Sequence, residues 1–318
     1  MTSLLDLRFI VLSGKGGVGR TTIAAALARA ALARGKRVLI AQMDAADRLG
    51  TMLDQPGPIG PVVRTLMPGL DAVNMTARES LHQYALLVLK YEAVYRALFD
   101  NRAVRGFLSA VPGLDAYAML GKAWWHTTEL ASAGAPSSGS AGRSDFKYDL
   151  VILDGPASGH AITMLKIPGA ILSTMPAGPL AKDARALNTL LADPKQAALV
   201  IVTRAEELPA KETVELVQAA KRLPGLCVGP VIVNAMPSET TLNPTFEALL
   251  DRLPDPVADP ALGEVVALAR AARTQARIAR QIFEQLRVSP GLPMVALPAL
   301  PKTSLSLAEV DVLASKLA

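Results

Sequence analysis

The sequence contains very little cysteine or histidine. Of its 318 residues, one is a cysteine, Cys227, and three are histidines, His82, His126 and His160. A single cysteine excludes an intramolecular disulfide, and the scattered histidines lack the spacing of a metal-binding motif. The cysteine count fits a reducing compartment, and we expect a cytoplasmic protein.

Long apolar helices and basic clusters are also absent. No charged segment followed by an apolar core and a cleavage site opens the sequence, and the longest uncharged apolar stretch, Ile167 to Ala181, contains three prolines and two glycines. We therefore expect a loop-rich segment there, and neither a signal peptide nor a membrane span. The net charge of +5 is spread along the chain and aromatic residues make up 4% of it. This pattern argues against nucleic-acid binding and leaves open weak peripheral attraction to anionic lipid or to acidic partners.

Apolar runs of strand length alternate with segments of helical periodicity. The first strand, helix and strand lie within residues 7–44, with a helix over 20–34, and further strands are predicted at 70–75, 148–153, 197–203, 226–234 and 294–297. Helices are predicted at 180–192, 209–223, 243–252, 261–287 and 305–318. Strands separated by helices predict an α/β fold, a doubly wound and mostly parallel sheet.

One stretch interrupts this alternation. Between residues 76 and 130 the strand pattern disappears and apolar residues recur at helical spacing, which predicts a helical lobe inserted into the sheet domain. The sequence ASAGAPSSGSAGRS follows, and we expect a flexible loop over 131–147. The chain is thus predicted to form one domain over 1–318 with an inserted lobe.

A glycine-rich loop between the first strand and the first helix fits two motifs. Read as G-x-G-x-x-G, the glycines at 14, 16 and 19 match a dinucleotide-binding turn, and Asp44 after the second strand matches its ribose-binding acid. Read as G-x-x-x-x-G-K-[ST], the same stretch matches a phosphate-binding loop except at one position, where arginine replaces lysine. The residues concerned are Gly14, Lys15, Gly16, Gly17, Val18, Gly19, Arg20, Thr21 and Thr22.

The charged and hydroxyl residues of the loop favour a triphosphate. Lys15 and Arg20 place two cations beside the predicted phosphate position, whereas a dinucleotide turn needs no charge there. Thr21, directly after the basic residue, has the hydroxyl that binds Mg²⁺ in phosphate-binding loops. We therefore predict a site for a nucleoside triphosphate and magnesium.

Two aspartates follow buried strands. Asp154 ends the predicted strand at 148–153 and begins the turn DGPASGH, while Asp44 ends the second strand. At the carboxyl edge of a parallel sheet, Asp154 would hold Mg²⁺ together with Thr21, and Asp44 would orient an attacking water. For both residues the alternative is a helix N-cap without a role in chemistry.

The loop with its early lysine (GKGGVG), the acid after the second strand and the DGPASGH turn together resemble the deviant Walker A ATPases. The resemblance is to the branch of the arsenite pump and of the factors that target tail-anchored proteins, and it extends over most of the chain. Further stretches similar to that branch are VPGLD at 111–115, residues 204–213 with their E-T pair, VIVN at 231–234 and LPALP at 297–301.

This resemblance implies an ATPase that uses ATP and Mg²⁺ and works as a dimer around two nucleotides. Lys15 would reach the phosphates of the partner subunit, and Asn234 would recognise adenine. The chain departs from the family pattern at three places, which bear on hydrolysis more than on binding: it has D-A-A-D after the second strand in place of D-P-A-H, D-G-P in place of D-T-A-P, and Arg20 in place of lysine. A single cysteine also excludes the arsenite-binding cysteine triad and a zinc-clasped dimer.

Three functions therefore stand as hypotheses. The first is an ATPase whose dimer opens and closes to act on a protein client through the helical lobe. The second is a nucleotide-binding regulatory subunit with weak or no hydrolysis, paired with a competent ATPase. The third, based on the glycine pattern alone, is a nicotinamide-dependent oxidoreductase. The partner is predicted to be a second copy or a related ATPase.

Overall fold

The strands that the structure describes form a single sheet. The computed structural model describes residues 3–46, 48–89, 113–131, 145–238, 243–254, 257, 259–288, 291–302 and 304–318. Its strands are β1 Phe9–Gly14, β2 Val38–Met43, β3 Arg64–Met67, β4 Leu70–Met75, β5 Leu150–Ala157, β6 Ala197–Arg204, β7 Val228–Met236 and β8 Met294–Pro298. They are ordered β3-β4-β2-β5-β1-β6-β7-β8, and all neighbours run parallel except β3 and β4.

Helices cover both faces of this sheet. A short 3-10 helix, Leu4–Asp6, precedes β1. The described α-helices are α1 Arg20–Ala33, α2 Leu49–Met52, α3 Ala77–Leu89, α4 Leu114–Thr128, α5 Ser158–Thr174, α6 Pro179–Ala192, α7 Glu207–Lys221, α8 Pro244–Arg252, α9 Pro260–Val288 and α10 Leu307–Leu317.

The core consists of two layers, because successive residues of a strand point to opposite faces. On β1, Ile10 and Leu12 pack with the alanine-rich face of α1 and with α10, whereas Phe9 and Val11 pack with α4, α5, α6 and α7. A parallel sheet covered on both faces confirms the predicted doubly wound α/β fold.

The stretch from Ile167 to Ala181 is mostly helical, so the prediction of a loop-rich segment was wrong. Helix α5 continues through Pro168 to Thr174, and α6 begins at Pro179. A proline inside a helix costs about 3 kcal/mol, but burial of one large apolar side chain gains roughly 1.5–3 kcal/mol. Helix α5 buries Ile162, Met164 and Leu165, which offsets the proline.

The turn-rich patch between Gly50 and Pro68 contains an edge strand that the sequence pattern did not predict. β3 pairs antiparallel with β4 through a two-residue turn, in which Pro68 precedes Gly69 at a φ of 82°. Proline followed by a glycine with positive φ is the arrangement of a type II turn. β3 has only four residues, too few to show an alternating pattern.

The described part of the predicted lobe consists of α3 and α4. Helix α4 packs on the sheet, and Leu120 lies in the core while Met119 and Trp124 pack inward. Trp125 remains 38% exposed. Residues 90–112 and 132–144, which include most of the predicted loop, lie outside the described residues. The division into domain, lobe and loop therefore stays a prediction.

No helix among the described residues combines the length and the apolar character needed to cross a membrane.

Candidate functional site

The glycine-rich loop leaves β1 at Gly14 and enters α1 at Arg20. Gly14 has a φ of 154°, and a Cβ atom there would lie 2.0 Å from the carbonyl oxygen of Val202. Gly19 has a φ of 93°, and a Cβ atom there would lie 2.3 Å from Nδ2 of Asn234. No side chain caps the N-terminus of α1. Its first backbone N–H groups and the helix dipole therefore suit an anion.

Thr21 and Asp154 meet beside this helix end. The Thr21 hydroxyl donates to Oδ2 of Asp154 at 2.6 Å, and Nε2 of Gln42 lies 3.5 Å from the same oxygen. Asp154 is 6% exposed. Burial raises the pKa of its carboxyl above the ordinary value, against the opposing effects of the Thr21 hydrogen bond and the Arg20 charge. The chain thus holds a hydroxyl and a buried carboxylate together, a pair of oxygen ligands suited to Mg²⁺.

Arg20 connects the loop to the turn that the sequence analysis singled out. Its Nη1 donates to the carbonyl oxygen of Gly155 at 2.8 Å, and Ser13 donates to the carbonyl of Pro156 at 3.1 Å. Burial lowers the pKa of the Arg20 guanidinium, while Asp154 raises it.

The strand before this turn is longer than predicted. β5 continues past Asp154 to Ala157, whereas the sequence pattern ended it at residue 153. The extension depends on Gly155, because a Cβ atom there would lie 2.6 Å from the carbonyl oxygen of Leu12.

Neither aspartate caps a helix. Ala157 is the N-cap of α5 and Arg48 is the N-cap of α2, and neither helix has a side-chain cap. The alternative of a purely structural N-cap is therefore wrong for both Asp44 and Asp154.

Asp44 lies exposed at the carboxyl end of β2 in a left-handed conformation, with a φ of 47°. Its backbone N–H donates to Met75, and the side chain of Asn74 both accepts from and donates to the backbone of Ala45. Non-glycine residues with positive φ are uncommon, and they concentrate at functional sites where neighbouring contacts hold them.

Lys15 pairs with a residue to which the sequence analysis assigned no role. Its Nζ lies 2.6 Å from Oε1 of Glu212, and the Ser158 hydroxyl donates to Oε2 at 3.2 Å. The hydrogen bond from Lys15 is the main reason why the pKa of Glu212 is lowered. The sequence offered one signal for Glu212, the E-T pair at 212 and 213, but no nearby residue indicated that Lys15 would be its partner.

Asn234 holds the loop from the other side. Its Nδ2 donates to the carbonyl oxygen of Val18 at 2.9 Å, and its Oδ1 accepts from the N–H of Ala235 at 2.9 Å. The residue predicted to recognise adenine thus contacts the glycine-rich loop directly.

Two cavities adjoin the loop and share Gly17, Gly19, Thr22 and Leu305. One, of about 640 Å³, contains Arg20, Thr21 and Arg48, a residue that the sequence analysis missed. The other, of about 420 Å³, is lined by Val18, Arg204, Asn234, Ala235 and by residues 298–300, 302, 305 and 313. Each cavity has two cations in its lining, Arg20 and Arg48 in the first and Arg204 and Lys302 in the second, so both spaces suit a negatively charged group.

Comparisons with known proteins find similar chains. A family model described as Anion-transporting ATPase matches residues 7–177, a range that includes the loop, Asp44 and Asp154. ATPase BagA of Mycobacterium tuberculosis is 27% identical over 235 residues, which are 73% of this chain and 66% of that protein. An arsenical pump-driving ATPase of Acidiphilium multivorum is 28% identical over 222 residues, 64% of this chain and 35% of that protein. An ASNA1 homologue of Paramecium tetraurelia is 28% identical over 167 residues, 51% of this chain and 45% of that protein. The match thus spans just under two thirds of the mycobacterial protein and about a third of the pump ATPase.

Proposed function

The chain belongs to the anion-transporting ATPase family, and from that premise we propose that it binds and hydrolyses ATP as a dimeric switch that acts on a protein client. The phosphates would lie on the loop from Gly14 to Thr22, and the nucleoside would lie beside Asn234.

The observation that carries this proposal is the contact between Thr21 and Asp154 at the uncapped start of α1. A dinucleotide site needs neither a hydroxyl nor a buried acid at this point, whereas a triphosphate with its metal needs both. Lys15, Arg20 and Arg48 add three cations near the loop, which suits several phosphate charges.

Thr21 and Asp154 are the residues that would hold Mg²⁺. Both residues contribute oxygen ligands. Burial raises the pKa of the Asp154 carboxyl by disfavouring its charged form, and a neighbouring cation would stabilise that charged form. Bound Mg²⁺ supplies charge neutralisation on the β- and γ-phosphates. Asp44 would orient the attacking water from its held position at the end of β2.

The resemblance described in the sequence analysis implies a dimer around two nucleotides. We propose that this chain pairs with a second copy or with a related ATPase, and that Lys15 then reaches the partner's nucleotide. The pair of Lys15 with Glu212 is partly exposed, and exposed ion pairs contribute only about 0–1 kcal/mol. Lys15 is therefore free to exchange Glu212 for phosphate at little cost.

The test of nucleotide binding is the melting temperature of the purified protein with MgATP, MgGTP or NAD. A ligand at 100 times its dissociation constant stabilises the folded state by about 2.7 kcal/mol, an increase that thermal unfolding readily detects. We expect the largest rise with MgATP and a smaller one with MgGTP, because the chain has Asn234 and no N-K-x-D guanine motif. A rise with NAD alone would overturn the proposal.

Arg20 favours the second candidate, a regulatory subunit with little hydrolysis. Guanidinium holds oxygens in a fixed fork, whereas the lysine of a phosphate-binding loop is a compact cation that follows the γ-phosphate. In the structure Arg20 also donates to the carbonyl oxygen of Gly155. Such a residue would stabilise bound nucleotide more than the transition state.

We expect Arg20→Lys to raise ATP turnover about tenfold, the gain from about 1.4 kcal/mol of added transition-state stabilisation, with little change in affinity. Steady-state phosphate release and calorimetry measure the two quantities, and Arg287→Lys, the same exchange at an exposed arginine paired with Glu284 on α9, is the control. If Arg20→Lys leaves turnover flat or lowers it, Arg20 is an adapted catalytic residue and the regulatory candidate loses its main support.

A further inference from the structure

Gln42 is a fully buried polar residue on a central strand. It lies near the carboxyl end of β2, between β4 and β5, and its register partner on β5 is Asp154. Its Nε2 lies 3.5 Å from Oδ2 of Asp154, whereas its Oε1 is buried and has no donor among the described residues. One end of this amide therefore has a partner, and the other end has none.

Nothing in the packing of β2 calls for an amide at this position. The other residues of the strand, VLIA before Gln42 and Met43 after it, are all apolar, as in a strand buried on both faces. An apolar side chain of the same length would fill the space without burying an unsatisfied acceptor, which is unfavourable. Chains depart from such local rules mainly at functional sites, so we looked for the function at the satisfied end of the amide.

That end contacts one oxygen of a carboxylate already assigned to magnesium. Oδ2 of Asp154 faces two donors, the hydroxyl of Thr21 at 2.6 Å and the amide of Gln42. Oδ1 accepts from no donor among the described residues, and it is not sealed from solvent. Donors from two different elements thus lie against one oxygen and leave the other one open to a cation.

We propose that Gln42 is a positioning residue for the magnesium site, whose amide holds Oδ2 of Asp154 so that Oδ1 stays open to the cation. This assignment rests on the proposed function. Carboxylates that bind metals are commonly held by hydrogen bonds from a second layer of residues. An uncharged donor suits that layer, because a cation at position 42 would compete with the metal for Asp154 and a carboxylate would repel it.

The test measures how strongly ATP binding depends on Mg²⁺ in Gln42→Met, which keeps the length of the side chain and removes the amide. The Mg²⁺ concentration that gives half of the increase in ATP affinity should rise about 10–100-fold, the usual effect of losing such a supporting residue. ATP affinity in EDTA should stay at the wild-type value, because the loop that would hold the phosphates keeps its contacts. Calorimetry measures both quantities.

A second variant and a control separate positioning from general damage. Gln42→Asn keeps an amide that is one methylene too short to reach Asp154, and its Mg²⁺ requirement should rise as well. Thr203→Val removes a buried hydroxyl from β6, where it donates to the carbonyl oxygen of Arg204, and should keep the wild-type requirement. The melting temperature of unliganded Gln42→Met should not fall, because methionine removes the acceptor that has no donor.

A wild-type Mg²⁺ requirement in both Gln42 variants would overturn the assignment, as would equal losses of ATP affinity with Mg²⁺ and with EDTA. A lower melting temperature together with an unchanged Mg²⁺ requirement would show that Gln42 is merely structural. If the wild-type protein binds ATP no better with Mg²⁺ than with EDTA, the proposed magnesium site fails and Gln42 loses its role with it. The failure of this inference and that of the proposed function are therefore distinguishable.

Discussion

ATP turnover should fall by about 10²–10⁴-fold in Asp44→Asn, the range that a positioned acid–base group contributes to catalysis. Asp44 lies two residues beyond Gln42, the register partner of Asp154, so both carboxylates belong to the same edge of the sheet. Asparagine keeps the shape of the side chain and tolerates a positive φ, but it cannot accept a proton from water. Nucleotide affinity should change little, because only the reacting water loses its partner.

Asp54→Asn is the matched control for this change. Asp54 is also an exposed aspartate with a positive φ, 53°, and it follows α2 outside the cavities that flank the loop. We expect its turnover to equal that of the wild type in a phosphate-release assay. In the double variant Arg20→Lys/Asp44→Asn, the increase in ATP turnover expected for Arg20→Lys alone should disappear. If Asp44→Asn retains wild-type turnover, the water-orienting role of Asp44 is wrong.

Lys15→Ala is expected to abolish the dimerisation that ATP drives. It should also lower ATP turnover by about 10²–10³-fold, the usual effect of removing one preorganised group that stabilises charge in the transition state. Folding stability should change by less than about 1 kcal/mol, because the pair with Glu212 is partly exposed. Sedimentation with and without ATP, together with thermal unfolding, separates these effects.

Two further variants test the role of Lys15. Lys211→Ala removes the cation that directly precedes Glu212 in the sequence. This variant should dimerise as the wild type does. Glu212→Gln releases Lys15 from its partner and should dimerise at equal or lower ATP concentration. Dimerisation of Lys15→Ala at the wild-type ATP concentration would mean that Lys15 does not act across the interface.

The sequence predicted where most strands and helices lie along the chain, because the formation of each element follows local rules. The continuous apolar run of β1 and the helix signals around α1 and α7 involve residues a few positions apart, and the structure confirms them within two or three residues. The same rules failed at Pro168, where the apolar burial of helix α5 offsets the cost of a proline inside the helix. They also failed at β3, a four-residue strand that pairs with β4 at the edge of the sheet.

The sequence alone also determined which residue types lie at or near the carboxyl ends of the strands: a glycine-rich loop with two cations, and acids at 44 and 154. What each of them contacts was decided by the tertiary structure. Arg20 meets Gly155, Lys15 meets Glu212 and Asn234 meets Val18 across 135, 197 and 216 residues of chain, respectively. Such contacts depend on the strand order, which places β1 between β5 and β6, and on the close approach that Gly14 and Gly19 permit. Local propensity carries no information about that order, because it arises when distant segments bury their apolar faces together.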